Sequence, residues 1–599
     1  MINFDIVLIS YNSEKWISSC LKSLEKIKYP LNNIHITIVD NNSTDNSTEL
    51  IKSYPNRDLF GSYQFHLLDQ NLGFGKANNY AVKRTEQDYI FFLNIDTEIV
   101  EDSITELSNA IESSNEEVAL WECRQFPYEH PKVYNPVTLE VSWASAAACV
   151  VRRDCFEKVG MFDENIFMYA EDVDLSWRLR AHGYKLQYTP KSVIYHYTYM
   201  SAGEVKPNQF YNSTYNNLML RYKFGTWSDV AKGYSIYNAL FFVNGPTENH
   251  KTRITANWIK SFAEGIKFRS WKRKNKNLNF KPEFKIWDYE IIRDGAFYVN
   301  GKSTVHPKVS ILIRTCGRPT MLREALVSVR NQTYKNIEVV IVEDGPNVSQ
   351  ELIEEEFNDL NYVYHCTNEK VGRCIVGNKA MELATGKFLN FLDDDDLLYA
   401  DHVESLVYQL EQNPTYKVAY SIAFEVPTKI KSKDPYEYEE LFHNVQHRQQ
   451  FNRLVLLHHN YFPIQTVMFE KSVYEELGGI DYNLEVLEDW DLWLRYALKY
   501  DFLFVEKLTS LYRIPAIVND VHDRQKLFDE YLPKVRGKHF NSKMYLTVGE
   551  VFKDAEALMN RPPTIIYRMK NMSIKAIIFK IRNKAYALVK RVTSFKINN

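Results

Sequence analysis

The sequence predicts an α/β protein built from two successive, mostly parallel sheets, and three observations predict it. First, Phe4–Ser10 (FDIVLIS) and residues 309–313 (VSILI) are unbroken apolar runs, as in parallel strands buried on both faces. Second, each is followed by an amphipathic helical stretch, 16–24 and 322–329, and then by another apolar run, 34–39 and 337–342. Strand, crossover helix and parallel strand make a right-handed βαβ unit, so the chain holds two. Third, acids recur in the same order in both halves. Strand-like runs end in Asp96 and in Asp393-Asp394-Asp395-Asp396, and the acidic pairs Glu171-Asp172 and Glu488-Asp489 follow.

Taken in order, the elements keep a common register. The second strands end in Asp40 and in Glu343-Asp344. Asp40 lies 30 residues after Ser10, and Glu343 lies 28 after Thr315. Asp96 lies 23 residues after Gly73, and Asp395 lies 23 after Gly372. From strand-end acid to acidic pair the gaps diverge, 76 residues (Asp96 to Asp172) against 94 (Asp395 to Asp489), as expected of loops that shape substrate pockets. Residues 205–305 read as helical, with a basic run at 271–276 that reads as a solvated face. Residues 557–599 contain no Asp or Glu, and their Lys and Arg interleave with apolar residues at helical spacing. That pattern suits a basic helix lying on an anionic membrane. The expected divisions are 1–224, a helical connector 225–305, 306–530, and a membrane-associating tail 531–599.

Bulk properties exclude several classes. A chain of 599 residues is too long for one core. Its net charge of -3 gives no argument for nucleic acid. Seven scattered cysteines without a CxxC pair read as reduced thiols of a cytosolic protein. No basic leader opens the chain and no apolar run reaches 18 residues, so neither a signal peptide nor a spanning helix is expected.

The repeated acids suit transfer of a sugar from a nucleotide diphosphate. The leaving diphosphate needs positive charge, which a divalent cation on strand-end carboxylates supplies, with Asp395 as direct ligand. Oxygen ligands favour Mg²⁺ or Mn²⁺. A sugar hydroxyl also needs a base on the opposite face of the anomeric carbon, which gives inversion; Asp172 and Asp489 are the candidates. Glu171 and Glu488 would orient the acceptor or set the base's pKa.

These residues bring a family into view. Val7–Ser13, Ile38–Asp45, Asn71–Asn79, Leu93–Asp96 and Phe167–Leu175, with Arg178, Gly183 and His196, resemble the rhamnosyltransferase-type branch of the family-2 glycosyltransferases of GT-A fold. Ser310–Thr315, Val342–Gly345, Gly372–Asn378, Phe391–Asp396 and Gly478-Gly479 before Glu488–Leu492 resemble the general branch. The resemblance implies two GT-A domains. It implies that Asp40, and Glu343 or Asp344, contact the nucleoside. Ser10 and Thr315 would complete that site, and Lys76 and Arg373 would stand in for an arginine that the family often carries. It implies metal binding by Asp96 with His196 and by Asp395 with Asp393, bases at Asp172 and Asp489, and acceptor contacts from Glu171, Glu488 and Trp490. Two departures stand out. Asn94 replaces the acid found at Asp393, which weakens the first metal site and marks the first half as the one open to loss of activity. Arg513, with His522 as a weaker alternative, falls where His196 would map.

The sequence-based expectation is therefore a bifunctional, inverting glycosyltransferase. Its donors would be dTDP- or UDP-sugars, with dTDP-rhamnose for the first half. Its acceptor would be a lipid-linked glycan at the cytoplasmic membrane face, as bacterial surface polysaccharide synthesis requires. The rival expectations are one active domain beside a degenerate glycan-binding one, and a non-catalytic nucleotide-sugar scaffold.

Overall fold

The computed structural model describes residues 1–198, 204, 206–295, 301–433 and 436–559; the side chains at 433, 436 and 518–523 lie outside that description. Contacts divide the chain into two compact units, Met1–Val299 and Asn300–Asn599.

In the first unit the strands are β1 Phe4–Ser10, β2 Ile34–Asp40, β3 Ser62–Leu67, β4 Tyr89–Leu93, β5 Thr97–Ile99, β6 Val118–Phe126, β7 Ala148–Arg152 and β8 Lys185–His196. They form one sheet in the order β3-β2-β1-β4-β7-β6-β8-β5. β3, β2, β1 and β4 run parallel, β7 is antiparallel to both its neighbours, and β6 and β8 are parallel. A short hairpin follows, β9 Phe284–Lys285 and β10 Asp288–Tyr289.

The second unit has β11 Val309–Thr315, β12 Ile337–Glu343, β13 Tyr362–Cys366, β14 Phe388–Asp393, β15 Leu397–Leu398, β16 Val418–Lys433, β17 Tyr436–Glu440, β18 Val467–Glu470 and β19 Phe502–Pro515. Its sheet order, β13-β12-β11-β14-β18-β16-β19-β15, matches the first position by position, with β17 added on β16. Both are the α/β, mostly parallel GT-A architecture that the sequence predicts. β1 buries every residue but Ile9, which is half-buried, and β11 buries all of its residues, because helices cover both faces.

The matching strand order sends β1, β2 and β4, and β11, β12 and β14, to the same edge of each sheet. Ser10 pairs in register with Asp40, and Thr315 with Glu343. Ligands of open α/β sheets bind at such carboxyl ends. Gly73 (φ 79°) and Gly372 (φ 95°) begin the helices Phe74–Val82 and Arg373–Leu383. A Cβ at Gly73 would lie 2.3 Å from the Phe167 carbonyl oxygen, so that turn admits only glycine.

Two expected boundaries change. Residues 225–305 do not stand apart as a connector. Helices Trp227–Ala239 and His250–Lys274 pack on Pro207–Phe224 around Leu218, Met219, Tyr222 and Phe268. The β9–β10 hairpin returns to Trp177, with Arg180 donating 2.7 Å to Glu290. Within the basic run, Trp271 packs on Phe224, and Lys272 donates to the Phe224 and Gly225 carbonyls at 2.6 and 2.8 Å; Arg273 and Lys274 are exposed. The boundary at 530 falls inside helix Val518–His539, whose Tyr531 and Val535 enter the second unit's core. Helix Val548–Met559 likewise places buried Asp554 against Arg453. The basic run from 560 onward lies outside the described residues. Among the described residues no helix is long and apolar enough to cross a membrane.

Candidate active sites

In the first unit the end of β1 leaves the Ser10 hydroxyl buried without a partner. Beside it Asp40 accepts the Ser43 amide at 2.8 Å through Oδ1, while Oδ2 is buried and unpartnered. Buried polar atoms of this kind are costly unless something bonds them, so this edge is chemically set for a polar ligand. Asn41 ties the strand end to the Gly73 turn by accepting the Leu72 amide at 2.8 Å. Lys76 is exposed on the helix that begins at that turn.

Asp96 and His196, 100 residues apart, meet because β5 pairs antiparallel with β8, setting Thr97 opposite His196. His196 Nε2 lies 3.4 Å from Asp96 Oδ1, and its Nδ1 lies 2.9 Å from Gln125 Oε1. A metal-binding histidine is oriented in this way by a bond at its other nitrogen. Burial pushes the Asp96 carboxyl up, yet His196 and Thr198 together hold it below its ordinary value. One carboxylate and one imidazole fit a divalent cation whose remaining ligands are diphosphate and water oxygens. No group of three or more His, Cys, Asp or Glu is arranged to hold an ion among the described residues.

The acidic pair starts helix Glu171–Ala181 after Ala170, whose φ of 68° is strained for a residue with a side chain. Glu171 is buried with Oε2 unpartnered, and burial beside the Asp172 charge pushes its carboxyl up to about 8. Half-buried Asp172 accepts the Val173 amide at 2.8 Å. Burial raises its pKa as well; Lys132, itself buried in a pair with Glu122, opposes the rise without cancelling it.

The second unit repeats the layout with different electrostatics. Helix Glu488–Ala497 again follows a left-handed residue, Leu487 (φ 63°). Half-buried Asp489 accepts from Asn460 Nδ2 and the Trp490 amide, both at 2.8 Å. Burial, then Glu488, pushes Asp489 up to about 7. Arg314, at the position of Ile9, donates to both oxygens of Asp393 (2.7 and 2.8 Å) and at 3.2 Å to Glu488. Arg318 donates to both oxygens of Asp394, which also accepts from Thr315 at 2.7 Å.

Several expectations are corrected by this arrangement. Asp393 is no open metal ligand, because Arg314 engages both its oxygens. Asp395 is partly exposed, with an Arg318 nitrogen 3.5 Å away. Burial and then the charges of Asp395 and Asp393 raise Asp396 well above the ordinary carboxylate range, so the acids of this cluster outnumber the guanidinium groups that reach them. Glu488 is a structural ion-pair partner, also 3.7 Å from exposed Arg373. Glu343 accepts from Ser349, Val348 and Tyr364 and closes its own turn. Asp344 accepts the Val371 and Gly372 amides and plays the part of Asn41. Trp490 is 1% exposed and donates to the Leu456 carbonyl at 2.8 Å, which makes it a core residue, not an acceptor platform. Leu397 pairs with Leu511, so Tyr512, held by Glu425 at 3.0 Å, faces Asp396 where His196 faces Thr97. Arg513 turns to Glu324 at 2.9 Å, and the His522 side chain lies outside the described residues.

Two fixtures escape a reading of the sequence. Asn79 exchanges hydrogen bonds with Phe162 (3.0 Å each), and Asn378 with Ile480 (2.8 Å each), which fastens the glycine-turn helix to the loop before the acidic pair. Lys223 reaches both Asp163 (2.6 Å) and Asp174 (2.5 Å), while Lys538 reaches Asp481 (2.6 Å) and Asp491 (2.9 Å). Against burial these cations hold Asp163 down to about 2, and His539 with Lys538 does the same for Asp491. The later helix of each unit thus anchors the acidic-pair helix. The only sequence signal is the Asp two residues after each pair.

The glycosyl transferase family 2 profile matches residues 5–153 and again residues 310–478, together more than half of the chain. The chain belongs to glycosyl transferase family 2. Each family-2 match covers the strand-end acids of one unit and stops short of its acidic pair. An uncharacterized glycosyltransferase of Methanocaldococcus jannaschii is 28% identical over 254 residues, 40% of this chain and 83% of its own length. The glucosyl-dolichyl phosphate glucuronosyltransferase of Haloferax volcanii is 30% identical over 181 residues, 29% of this chain and 56% of its own length. The poly(ribitol-phosphate) beta-N-acetylglucosaminyltransferase TarS of Staphylococcus aureus is 29% identical over 121 residues, 20% of this chain and 21% of its own length. The solved structure of S. aureus TarS 1-349 aligns with a TM-score of 0.32 at 17% identity, covering 46% of this chain and 83% of that one.

Proposed function

We propose that this family-2 glycosyltransferase is an inverting, Leloir-type enzyme with two active sites that add sugars in succession to one growing glycan. The observation that carries the reading is the repeated placement of a half-buried aspartate, Asp172 or Asp489, at the start of a helix, with its pKa raised. A base is most effective when its pKa approaches the working pH, and both carboxylates are shifted in that direction. As the acceptor hydroxyl attacks, Asp172 or Asp489 takes its proton. Ser10 and Asp40 hold the nucleoside of the first donor, and Lys76 approaches its phosphates. Asp96 and His196 would hold a divalent cation, which when bound would supply positive charge for the leaving diphosphate of the first donor. In the second unit Arg318 and Arg373, both exposed enough to meet a ligand, supply that charge.

The first donor is read as dTDP-rhamnose from the branch resemblance, and the second as a UDP- or dTDP-hexose. A lipid-linked acceptor at the cytoplasmic membrane face is in keeping with a relative named for a dolichyl phosphate substrate. Two sites on one chain keep the intermediate product at high local concentration. A second reading, one working site, is favoured by the arginines that already occupy Asp393 and Asp394; on that reading the first unit transfers and the second binds glycan. The test is a nucleotide-sugar screen on wild type, Asp172→Asn and Asp489→Asn with a short lipid-linked acceptor mimic, counting added sugars by mass spectrometry. If each variant loses a different sugar, both sites work. If Asp489→Asn matches wild type, the second unit is not catalytic. Wild type that neither transfers nor hydrolyses any donor refutes both readings in favour of a scaffold.

A further inference from the structure

Helix His250–Lys274 has two faces that both lack charge. One face, with Ile254, Ser261, Gly265 and Phe268, is buried in the first unit. The opposite face carries Thr255, Ala256, Ile259, Phe262, Ala263 and Ile266, which share one side of a 3.6-residue helix. Ile259 is 62% exposed and Ile266 61%; Phe262, 44% exposed, shows one side of its ring to water while it stacks on Tyr234. An ordinary surface helix turns polar residues to water and keeps its apolar stripe inside. Helical spacing sets exposed Lys260 and Lys267 along one edge of the outer stripe and exposed Lys251 along the other. Exposed Arg273 and Lys274 close its end. The helix holds eight Lys and Arg against one acid, Glu264. The turn that leads into it leaves Phe242 90% exposed.

From this arrangement we infer that helix His250–Lys274 is an interfacial helix whose Ile259, Phe262 and Ile266 enter an anionic lipid surface while flanking lysines meet the headgroups. An apolar stripe between rows of cations complements acyl chains beneath a plane of negative phosphates, and each basic residue near such a surface adds to the attraction. A protein partner with an apolar groove would need no lysines on both edges of the stripe. In the sequence this helix is distinct from the basic run beyond 560, and the inference does not depend on either transfer reaction.

The test uses the full-length chain with vesicles of phosphatidylcholine alone or mixed with phosphatidylglycerol. Hydrogen exchange is expected to slow at 255–270 with the anionic vesicles only. In flotation, the triple variant Ile259→Gln, Phe262→Gln, Ile266→Gln should lower the bound fraction at limiting lipid about tenfold. Lys251→Glu with Lys260→Glu and Lys267→Glu should do the same. Phe262 stacks on Tyr234 and Lys260 pairs with Glu264, so both variants should unfold at a slightly lower temperature while donor hydrolysis stays unchanged. Lipid-induced protection confined to 560–599, or wild-type flotation by the triple variant, overturns the inference. So does protection of 255–270 that rises with protein concentration in the absence of lipid, which makes the occupant a second copy.

Discussion

At the end of β1 the first unit presents Ile9 and Ser10; at the end of β11 the second presents Arg314 and Thr315. The neighbouring strand end carries Asn94 in one and Asp393 in the other, and the acidic-pair glutamates are Glu171 and Glu488. These changes go together. Without an arginine the first unit has an amide in place of the acid, a Glu171 pushed up to about 8, and unpartnered oxygens at Ser10 and Asp40. With one, the second unit keeps Asp393 and Glu488 bound to Arg314 and closes Glu343 within its own turn. The same strand order can therefore leave strand-end polar atoms without a partner, as at Ser10 and Asp40, or tie them to an arginine from the neighbouring strand, as at Asp393. A count of acids alone misleads, because two of the four acids in a row, Asp393 and Asp394, are already engaged by arginines.

The comparison breaks most directly on metal removal. Chelation should stop the transfer made by the first unit, a loss of several kcal/mol of transition-state stabilisation, and leave the second nearly unchanged. Product mass spectrometry with and without chelator reads this, and equal loss of both sugars would erase the distinction. Arg314→Ile should come next. It strands buried Glu488 and half-buried Asp393 and should destabilise the second unit by about 3 kcal/mol. Adding Asp393→Asn, which copies Ile9 and Asn94, should recover a large part of that loss in a double-mutant cycle read by hydrogen exchange of β11 and β14.

The lysine anchors sharpen the contrast further. Lys223 is 2% exposed and Lys538 is 36% exposed. Lys223→Met should therefore cost about 3 kcal/mol of first-unit stability, and Lys538→Met about 1 kcal/mol of second-unit stability, measured by denaturant unfolding. The smallest effect is in pH. Transfer by the second unit should fall about tenfold per unit as pH drops below about 7, where Asp489 gains its proton. Glu171 keeps its proton up to about 8, so Glu171→Gln copies its neutral form and should leave the acid limb of the first transfer, which burial of Asp172 sets, in place. Folded Glu171 holds a proton that the unfolded chain releases, so between its ordinary 4.5 and about 8 the first unit loses stability as pH rises. The Gln variant should flatten that slope in thermal unfolding.

Much of this was legible without coordinates. Apolar runs, glycine turns and strand-end acids are local patterns, and their repetition fixed two α/β units, the βαβ order and the places of Asp40, Asp96, Asp172 and Asp489. Local patterns do not reveal what an acid pairs with. Asp393 meets Arg314 across adjacent strands, Trp490 turns into the core, and Lys223 reaches Asp174 from a helix that the sequence assigned to the border of a connector. Those outcomes depend on contacts between residues far apart in the chain, where burial removes water and leaves each charge to find a partner or lose its proton. The sequence by itself determined the scaffold and the position of each acid; the tertiary structure decided which acids remain free to act, because only packing sets the distances over which charges cancel.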